Sequence, residues 1–317
     1  MSIKQVTVFG GSGFIGRAMV QALAAEGYQI RIAVRRPELS DSIMTAGDVG
    51  QIMPVRTNLR MPQSVAAAVA GSQAVVNATG IFFQRGRQRY QSVHVEGART
   101  IAAACTAAGV QRLVHVSGIG AEAQGTRNPF IRSKGEGEQA IIGGYETATI
   151  LRPSVVFGPN DRFFNRLADI AAKAPFMPVA GSGKARVQPV FVGDVAAAAA
   201  AVLRRPETAK TVFELGGPRI YTYRELAALV LHVIGRDKPV IGIPAGLMKL
   251  AGFFAEFLPV PPLVRDQIDL MTTDNVVRPG AASFEALGIK PTAAEAILPM
   301  YLDRFRIGGR YNQHAPA

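Results

Sequence analysis

The hydrophobic pattern near the start of the chain alternates between short apolar runs and longer stretches with helical spacing. Val6-Thr7-Val8-Phe9 predicts a strand, and the apolar positions from Phe14 to Leu23 that follow it recur at helical spacing. Gly27 predicts the end of that helix, and Ile30–Val34 predicts a second strand. This order predicts a βαβ unit, in which the two strands lie parallel in one sheet.

The same alternation continues to about residue 155. Further strands are predicted at 74–77, 113–117 and 148–152, and further helices at about 90–108 and 130–142. Beyond about residue 155 proline and glycine become frequent and the pattern weakens. In this second half the predicted strands are 187–192 and 212–215, and the predicted helices are 195–203 and 223–234.

These elements predict an α/β fold: a Rossmann-like doubly wound parallel sheet with a smaller C-terminal α/β lobe. We expect residues 1–155 to form the Rossmann core and residues 156–317 a mixed C-terminal part. Within that part, 187–215 are expected to return to the core, and the rest to form the small lobe.

Composition and charge exclude several classes of protein. A hydrophobic content of 48% excludes a disordered chain, and the single cysteine, Cys105, excludes an internal disulfide framework or a cysteine-based zinc site. The four histidines lack metal-ligand spacing, so no metal site is predicted. No apolar run approaches the length of about 18 residues that a membrane-spanning helix needs. Because a strand pattern begins at once, no signal or transit peptide is expected.

The chain is basic, with 35 Lys and Arg against 23 Asp and Glu and a net charge of +12. Such a balance indicates an anionic partner: nucleic acid, a lipid surface or a phosphate-bearing ligand. The excess is spread over the first three quarters of the sequence and is densest at Arg85-Gly86-Arg87-Gln88-Arg89. A solvated loop is the alternative interpretation of that segment.

A glycine-rich turn follows the first predicted strand. Gly10, Gly13 and Gly16 form G-x-x-G-x-x-G where the strand leads into the first helix. One glycine permits the tight turn, one permits close approach of a pyrophosphate, and one permits packing of the helix on the strand. The N–H groups at the start of the helix, at Phe14 and Ile15, then face the phosphates. This pattern makes 1–155 an NAD(P)-binding core; a tight turn without a ligand is the alternative.

The end of the second strand favours NADPH over NADH. An acidic residue there would bind a ribose 2′-hydroxyl, whereas this chain has Arg35 and Arg36. Two guanidinium groups suit a 2′-phosphate, which they bind in bidentate fashion, and they stack on adenine. The alternative is that one or both arginines only face solvent.

Several segments resemble the extended or atypical short-chain dehydrogenases/reductases, along nearly the whole chain. Residues 150–159, ILRPSVVFGP, resemble the cofactor-proximal segment after the sixth strand of that group, and 188–196, QPVFVGDVA, resemble a signature of the same group. The resemblance implies further cofactor contacts, from residues at or after the ends of successive strands and from Lys134 on the helix predicted at 130–142. The residues at the strand ends are Asn58, Ala78, Thr79, Gly80, Val116, Ser117, Pro153, Ser154 and Val155.

A narrower resemblance is to the Rossmann-type accessory subunits of respiratory complex I, the alpha subcomplex subunit 9 family. It is carried by segments in matching order: 85–90 RGRQRY, 93–98 VHVEGA, 115–121 HVSGIGA, 163–166 FFNR, 214–218 ELGGP, 265–267 RDQ and 273–277 TDNVV. The resemblance implies an NADPH-binding subunit at the junction of the peripheral arm and the membrane, near the quinone region.

The catalytic tyrosine of the larger group is missing. Its active members carry Tyr-x-x-x-Lys, in which the tyrosine exchanges a proton with the substrate. Here Lys134 is in place, but Phe130 stands four residues earlier, on the same face of the predicted helix. Ser117, near the position of the usual serine or threonine, and Tyr90 are the other candidate catalytic residues. Tyr90 capping or packing its own helix is the alternative.

Residues 246–258, GLMKLAGFFAEFL, form the most hydrophobic stretch. A helix of this length is too short to span a bilayer, so it is expected to lie in the membrane interface or to dock on a membrane subunit. Burial over the substrate cleft is the alternative.

Three functions are compatible with the sequence. The first is an NADPH-binding, non-catalytic accessory subunit of complex I, peripheral to the cytoplasmic face of a bacterial inner membrane, or to the matrix side in a mitochondrion. Such a subunit would have an anionic lipid surface as a further candidate partner, and nucleic acid is not expected to bind. The second is a free NADP-dependent reductase, epimerase or dehydratase. The third is an RNA-binding or redox-sensing relative, although no aromatic-basic stacking motif is visible.

Overall fold

The computed structural model describes residues 3–255 and 265–309. Its main feature is a seven-stranded parallel sheet with the strand order β3-β2-β1-β4-β5-β6-β11. The strands are β1 (Gln5–Phe9), β2 (Gln29–Val34), β3 (Ile52–Arg56), β4 (Ala74–Asn77), β5 (Arg112–Val116), β6 (Thr149–Pro153), β7 (Val156–Phe157), β8 (Met177–Ala180), β9 (Arg186–Val187), β10 (Val190–Phe191), β11 (Val212–Leu215), β12 (Tyr221–Thr222) and β13 (Val240–Ile243).

The α-helices alternate with the strands in the first half of the chain. They are α1 (Phe14–Ala25), α2 (Asp41–Met44), α3 (Pro62–Val69), α4 (Glu96–Ala107), α5 (Pro129–Gly144), α6 (Phe164–Lys173), α7 (Val192–Arg204), α8 (Tyr223–Val233), α9 (Ala245–Ala255), α10 (Arg265–Leu270) and α11 (Ala294–Leu302). A π-helical turn, Gln91–Val95, directly precedes α4.

Helices cover both faces of the sheet because its strands are apolar on both sides. Phe9, Val75 and Leu113 belong to a buried cluster with residues of α3, α4 and α5. Ala33 of β2 also belongs to that cluster. Because successive residues of a strand point to opposite faces of the sheet, the Ile32 side chain lies on the other face. Ile32 lies instead beside Val20 of α1, near Gly11. The predicted doubly wound Rossmann-like sheet is confirmed.

The chain divides into two compact units. The first consists of residues 1–153, 192–215 and 278–289, and holds the seven-stranded sheet. The second consists of 154–191, 216–277 and 290–317. Of the segment 187–215, expected to return to the core, residues 192–215 lie in the first unit and residues 187–191 in the second.

The prediction of one strand over 187–192 is wrong. The structure has two short strands instead, β9 and β10, and Val192 begins α7. Gln188 and Pro189 lie between these strands, where the Gln188 side chain donates a hydrogen bond to the Gly217 carbonyl at 2.7 Å. Proline has no N–H for a sheet ladder, which is one physical reason why a single continuous strand does not form here.

The core of the second unit is helical and aromatic. Phe157, Phe164 and Leu226 are fully buried there, and Phe157 and Phe164 pack edge to face with ring centroids 5.6 Å apart. Its strands form two-stranded sheets, β13 with β8, β12 with β9 and β10 with β7.

The apolar segment 246–258 lies partly on α9, and its last residues, 256–258, fall outside the described residues. Leu247, Leu250 and Phe253 of α9 are 61%, 57% and 40% exposed. Lys249 forms an ion pair with Asp269 at 2.5 Å. Among the helices that the structure describes, none has the length and apolar character that crossing a membrane requires.

Candidate functional site

The glycine-rich turn connects β1 to α1 through a close approach of the α1 backbone to Gly10. Gly10 has a φ of +75°, a conformation that favours glycine, and the Gly13 N–H donates to its carbonyl at 2.9 Å. A Cβ built on Gly16 would lie 2.1 Å from the Gly10 carbonyl oxygen. The first turn of α1 can therefore rest on the Gly10 backbone only because residue 16 has no side chain.

The start of α1 is free of local anions. Gly13 is the N-cap residue and provides no side-chain cap, and the first turn of the helix contains no acidic residue. The N–H groups of Phe14 and Ile15 belong to this turn, where an α-helix leaves its first amide donors without partners in the helix. This end of α1 has the properties that bind a phosphate.

The turn after β4 lies directly against the glycine-rich turn. A Cβ on Gly10 would come within 2.8 Å of the Ala78 carbonyl oxygen, and the Ala78 N–H donates to the Phe9 carbonyl at 3.0 Å. Asn77 fixes the turn, because its Oδ1 accepts from the N–H of Thr79 at 3.1 Å and from its hydroxyl at 2.5 Å. Thus Gly10, Ala78 and Thr79 come together at the carboxyl edge of the sheet.

A third arginine, Arg17, lies between the glycine-rich turn and α2 and was not predicted from the sequence. Arg35 and Arg36 are exposed and directly follow β2. Arg17, in the first turns of α1, donates through Nε to the Ser12 carbonyl at 2.9 Å and through Nη1 to the Ser42 hydroxyl at 3.3 Å. It thus links the glycine-rich turn to α2, which closely follows Arg36. The signal was in the sequence, as an arginine directly after the third glycine.

Asn58, a predicted cofactor contact, is engaged in its own turn. Its Oδ1 accepts from the Arg60 N–H at 3.1 Å, and its N–H donates to the Ser64 hydroxyl at 3.0 Å. The residue follows β3 at the carboxyl edge of the sheet, and these bonds fix the start of α3.

Phe130 is placed by the cap of α5. The Asn128 side chain accepts from the N–H groups of Phe130 and Ile131 at 3.0 and 3.2 Å, which starts the helix at this point. The phenyl ring stacks on Phe82 at 5.8 Å and meets Tyr90 and His94 edge to face at 5.7 and 5.8 Å. Three aromatic rings therefore surround the side chain that replaces the tyrosine.

Lys134 lies one turn further along α5, in a desolvated position. Its Nζ is 3.4 Å from the position that a Cβ of Gly80 would take, and His94 Nε2 is 3.8 Å from the same point. Burial lowers the pKa of Lys134 to about 8, and Glu138 opposes this effect. Lys134 and Gly80, both predicted cofactor contacts, are therefore neighbours.

Two neutral histidines stand beside this lysine. Burial, followed by the charge of Lys134, lowers the pKa of His94 to about 2 and that of His115 to about 3. His94 Nε2 accepts from the Ile81 N–H at 3.0 Å, while its Nδ1 lies 2.8 Å from the Ser133 hydroxyl, which donates to the Phe130 carbonyl. The proton of His94 is thus assigned to Nδ1. Asn77 Nδ2 donates to His115 Nδ1 at 3.0 Å.

Tyr90, the alternative acid, has its hydroxyl turned to the backbone. The hydroxyl donates to the Phe82 carbonyl at 3.0 Å, and the residue is 4% exposed. Its ring stacks on His94 with centroids 5.4 Å apart. These contacts fit a packing role beside the π-helical turn.

Ser117 follows Val116, the last residue of β5. It is 6% exposed, and its buried hydroxyl has no hydrogen-bond partner among the described residues. An unpaired buried hydroxyl is costly, so Ser117 is a group that a ligand would satisfy. Ile119, two residues later, donates its N–H to the carbonyl of Pro153, the end of β6.

The remaining two predicted contacts, Ser154 and Val155, lie in the second unit. The Ser154 hydroxyl contacts Asn275 Oδ1 at 2.6 Å and its carbonyl at 3.1 Å. Asn275 also donates its N–H to the Arg186 carbonyl at 2.7 Å. Asn275 of the 273–277 segment therefore fixes the loop after β6 to β9 within this unit.

The model of the NAD dependent epimerase/dehydratase family matches residues 6–216, from β1 to the end of β11. The chain belongs to this family. The match covers the glycine-rich turn, the Phe130 and Lys134 pair and the residues around Ser117. The resemblance drawn from the sequence motifs is thereby confirmed.

Curated relatives confirm the narrower resemblance. The chain is 31% identical over 315 residues to NADH dehydrogenase [ubiquinone] 1 alpha subcomplex subunit 9 of Arabidopsis thaliana, covering 96% of this chain and 78% of that protein. It is also 31% identical over 249 residues to ceramide reductase of Caulobacter vibrioides, covering 78% and 76%. The fold matches a UDP-glucose 4-epimerase of Thermus thermophilus at 20% identity, with a TM-score of 0.68 over 95% of this chain and 98% of that one.

Proposed function

We propose that this protein is an NADPH-binding, non-catalytic accessory subunit of respiratory complex I. The observation that carries the proposal is that Phe130 occupies the position of the catalytic tyrosine. The other parts of the site are present: the glycine-rich turn, Lys134 and Ser117. The cofactor supplies hydride chemistry in enzymes of this fold. Here it serves as a bound ligand that stabilises the folded chain.

The binding of a dinucleotide is supported by the first unit alone. Gly10, Gly13 and Gly16 leave the backbone bare where a pyrophosphate would approach, and the uncapped start of α1 supplies N–H donors. Lys134 and the unpaired Ser117 hydroxyl are the polar groups that would hold the nicotinamide riboside half. The other predicted contacts remain part of this proposal.

NADPH is favoured because the 2′-phosphate would meet arginines at the end of β2. Replacing Arg35 and Arg36 together with alanine is expected to weaken NADPH binding about 100-fold, since each charge-assisted hydrogen bond contributes about 1.5–3 kcal/mol. NADH binding is expected to change less than about threefold, because NADH lacks that phosphate. Titration calorimetry with both nucleotides measures the two affinities.

The control for this pair is Lys184→Ala with Lys290→Ala, which removes the same charge from exposed sites in the second unit. Equal loss of NADPH and NADH affinity in the arginine variant would contradict the assignment of the 2′-phosphate to Arg35 and Arg36. Equal NADPH loss in the control would mean that overall charge, and not these arginines, governs binding.

The absence of catalysis follows from the chemistry of the phenyl ring. Phe130 has no ionisable proton, and the neighbouring candidates do not replace it: the Tyr90 hydroxyl donates to a backbone carbonyl, and His94 is neutral with both nitrogens engaged. Lys134 alone would retain a contact to the cofactor without a proton relay to a substrate.

The partner is inferred from relatives that are similar to this protein over 96% of its chain and are named as complex I subunits. The experiment is affinity purification of the tagged chain from its native membrane in mild detergent. Complex I subunits are expected in stoichiometric amounts, and the tagged chain is expected on the cytoplasmic face of a bacterial inner membrane. Recovery of the chain without complex I subunits would overturn this part of the proposal.

A second candidate is a free NADP-dependent reductase. It is favoured by the similarity to the ceramide reductase, whose 31% identity equals that of the Arabidopsis thaliana subunit, although over 249 residues and not 315. This candidate requires a proton donor other than residue 130. Measured turnover of NADPH with a carbonyl substrate separates the two candidates.

A further inference from the structure

One long stretch of the first unit contains no acidic residue. Residues 49–95 contain five arginines, at positions 56, 60, 85, 87 and 89, and no aspartate, glutamate or lysine. The dinucleotide site proposed above uses none of these five arginines. Their charge therefore needs a separate explanation.

Three of the arginines lie on a tight hairpin. Arg85 and Gln88 exchange two backbone hydrogen bonds, each 2.9 Å long, and Gly86 between them has a φ of +54°. All six residues from Gln84 to Arg89 are exposed. The hairpin is therefore a projecting, well-defined turn with cationic side chains.

The loop after β3 is connected to this hairpin through contacts of Ser92 and Gly97. The Ser92 hydroxyl donates to the Arg87 carbonyl at 3.2 Å, and a Cβ on Gly97 would meet both the Ser92 carbonyl and the Leu59 side chain. Leu59 precedes Arg60 and Met61, which are exposed. The loop after β3 and the hairpin after β4 thus belong to one surface.

Large apolar side chains stand among these arginines. Phe82 and Met61 are each 53% exposed, although Phe82 also stacks on Phe130. We call the residues Arg60, Met61, Phe82, Arg87 and Arg89 the basic-aromatic surface. Guanidinium groups bind phosphate oxygens in bidentate fashion, and a neighbouring apolar ring enters the boundary between headgroups and acyl chains.

We propose that the basic-aromatic surface binds the anionic phospholipid headgroups of a membrane. A projecting hairpin needs no matching cavity on a fluid bilayer, whereas an acidic protein face would have to supply one. Complementary charge is provided by the acid-free stretch, and each arginine near an anionic bilayer adds about fivefold in affinity. The proposal does not rest on NADPH binding or on complex I, because it concerns this surface and lipid alone.

The test uses the full chain and vesicles of phosphatidylcholine, with or without about a third of phosphatidylglycerol, in sedimentation assays. Binding is expected only to the anionic vesicles and is expected to fall steeply with salt. Arg60→Gln with Arg87→Gln is expected to weaken it about 25-fold. The control, Lys184→Gln with Lys290→Gln, removes the same charge elsewhere and is expected to lose less than about threefold.

The chain has no tryptophan, so Phe82→Trp creates a single fluorescent reporter. Its emission is expected to shift to the blue on anionic vesicles. Val49→Trp, at a fully exposed site before β3, is the matched control and is expected not to shift. Thermal melting confirms that the variants are folded. Equal binding to neutral vesicles, equal loss in the lysine control, binding only to acidic proteins, or no binding at low salt would overturn the proposal.

Discussion

Replacing Gly16 with alanine is expected to abolish dinucleotide binding, with a loss of at least about 100-fold in affinity. The added Cβ would lie 2.1 Å from the Gly10 carbonyl oxygen and 2.8 Å from Gly11 Cα, so backbone and not a flexible side chain must move. The first turn of α1 would then separate from the turn after β1. The phosphate-binding N–H groups would lose the position that the proposal requires, and such loss of geometry is worth several kcal/mol. Calorimetric titration with NADPH measures the effect.

The matched control is Gly143→Ala, also a helical glycine. A Cβ on Gly143 meets nothing within 4 Å, and it lies at the far end of α5. We expect unchanged NADPH affinity and a gain of about 0.5–1 kcal/mol in the free energy of unfolding, because alanine is the better helix former. NADPH binding that survives in the Gly16 variant would contradict the assignment of the glycine-rich turn to the pyrophosphate.

Replacing Arg112 with methionine is expected to lower the free energy of unfolding by about 3–5 kcal/mol. Arg112 begins β5, and its Nη2 donates to the carbonyls of Val202 and Arg205 at 2.7 and 3.0 Å. Its Nη1 donates to the Pro206 carbonyl at 3.1 Å. The guanidinium therefore caps the carboxyl end of α7, where the helix dipole favours a cation. Methionine would remove these charge-assisted hydrogen bonds and leave the carbonyls only their contacts with Thr208 and Ala209.

Arg31→Met is the control for Arg112. Arg31 also donates to carbonyls at the end of a helix, those of Ala68 and Ala70 at 2.8 Å each, but it is less buried. The free energy of unfolding is expected to fall by only about 1 kcal/mol in this variant, because water can hydrogen-bond to the carbonyls in place of the Arg31 guanidinium. Urea denaturation of both variants gives the comparison. A similar decrease in the free energy of unfolding in the two variants would show that the stabilisation by Arg112 does not depend on its burial.

The sheet was predictable from sequence wherever apolar runs were long and local. β1, β2, β4, β5 and β6 follow from such runs, and the order of strands and helices fixed the parallel arrangement. β3 was missed, because Pro54 and Met53 in Ile52–Arg56 interrupt the apolar pattern. The strands of the second unit are two to four residues long, which is too short for alternation to be recognised.

The candidate site was predictable in its types of residue but not in its surroundings. The spacing of Phe130 and Lys134 within one helix is a local property, so sequence alone places them on one face. The ring of Phe82, Tyr90 and His94 around Phe130 depends on the π-helical turn and on contacts over about 40 residues, which no local pattern encodes. Arg17 and the cap made by Arg112 depend on tertiary contacts in the same way.

The most direct test of the central claim, a bound nucleotide without hydride transfer, is turnover by the protein purified from its native membrane. The measurement is the loss of nicotinamide absorbance after NADPH-loaded protein is mixed with a broad panel of carbonyl compounds. Saturable NADPH binding is expected, with turnover on every compound below about 1 s⁻¹, the low end of typical enzymes. Turnover above that rate on any of them, abolished by Lys134→Ala, would contradict the account and make the protein a reductase.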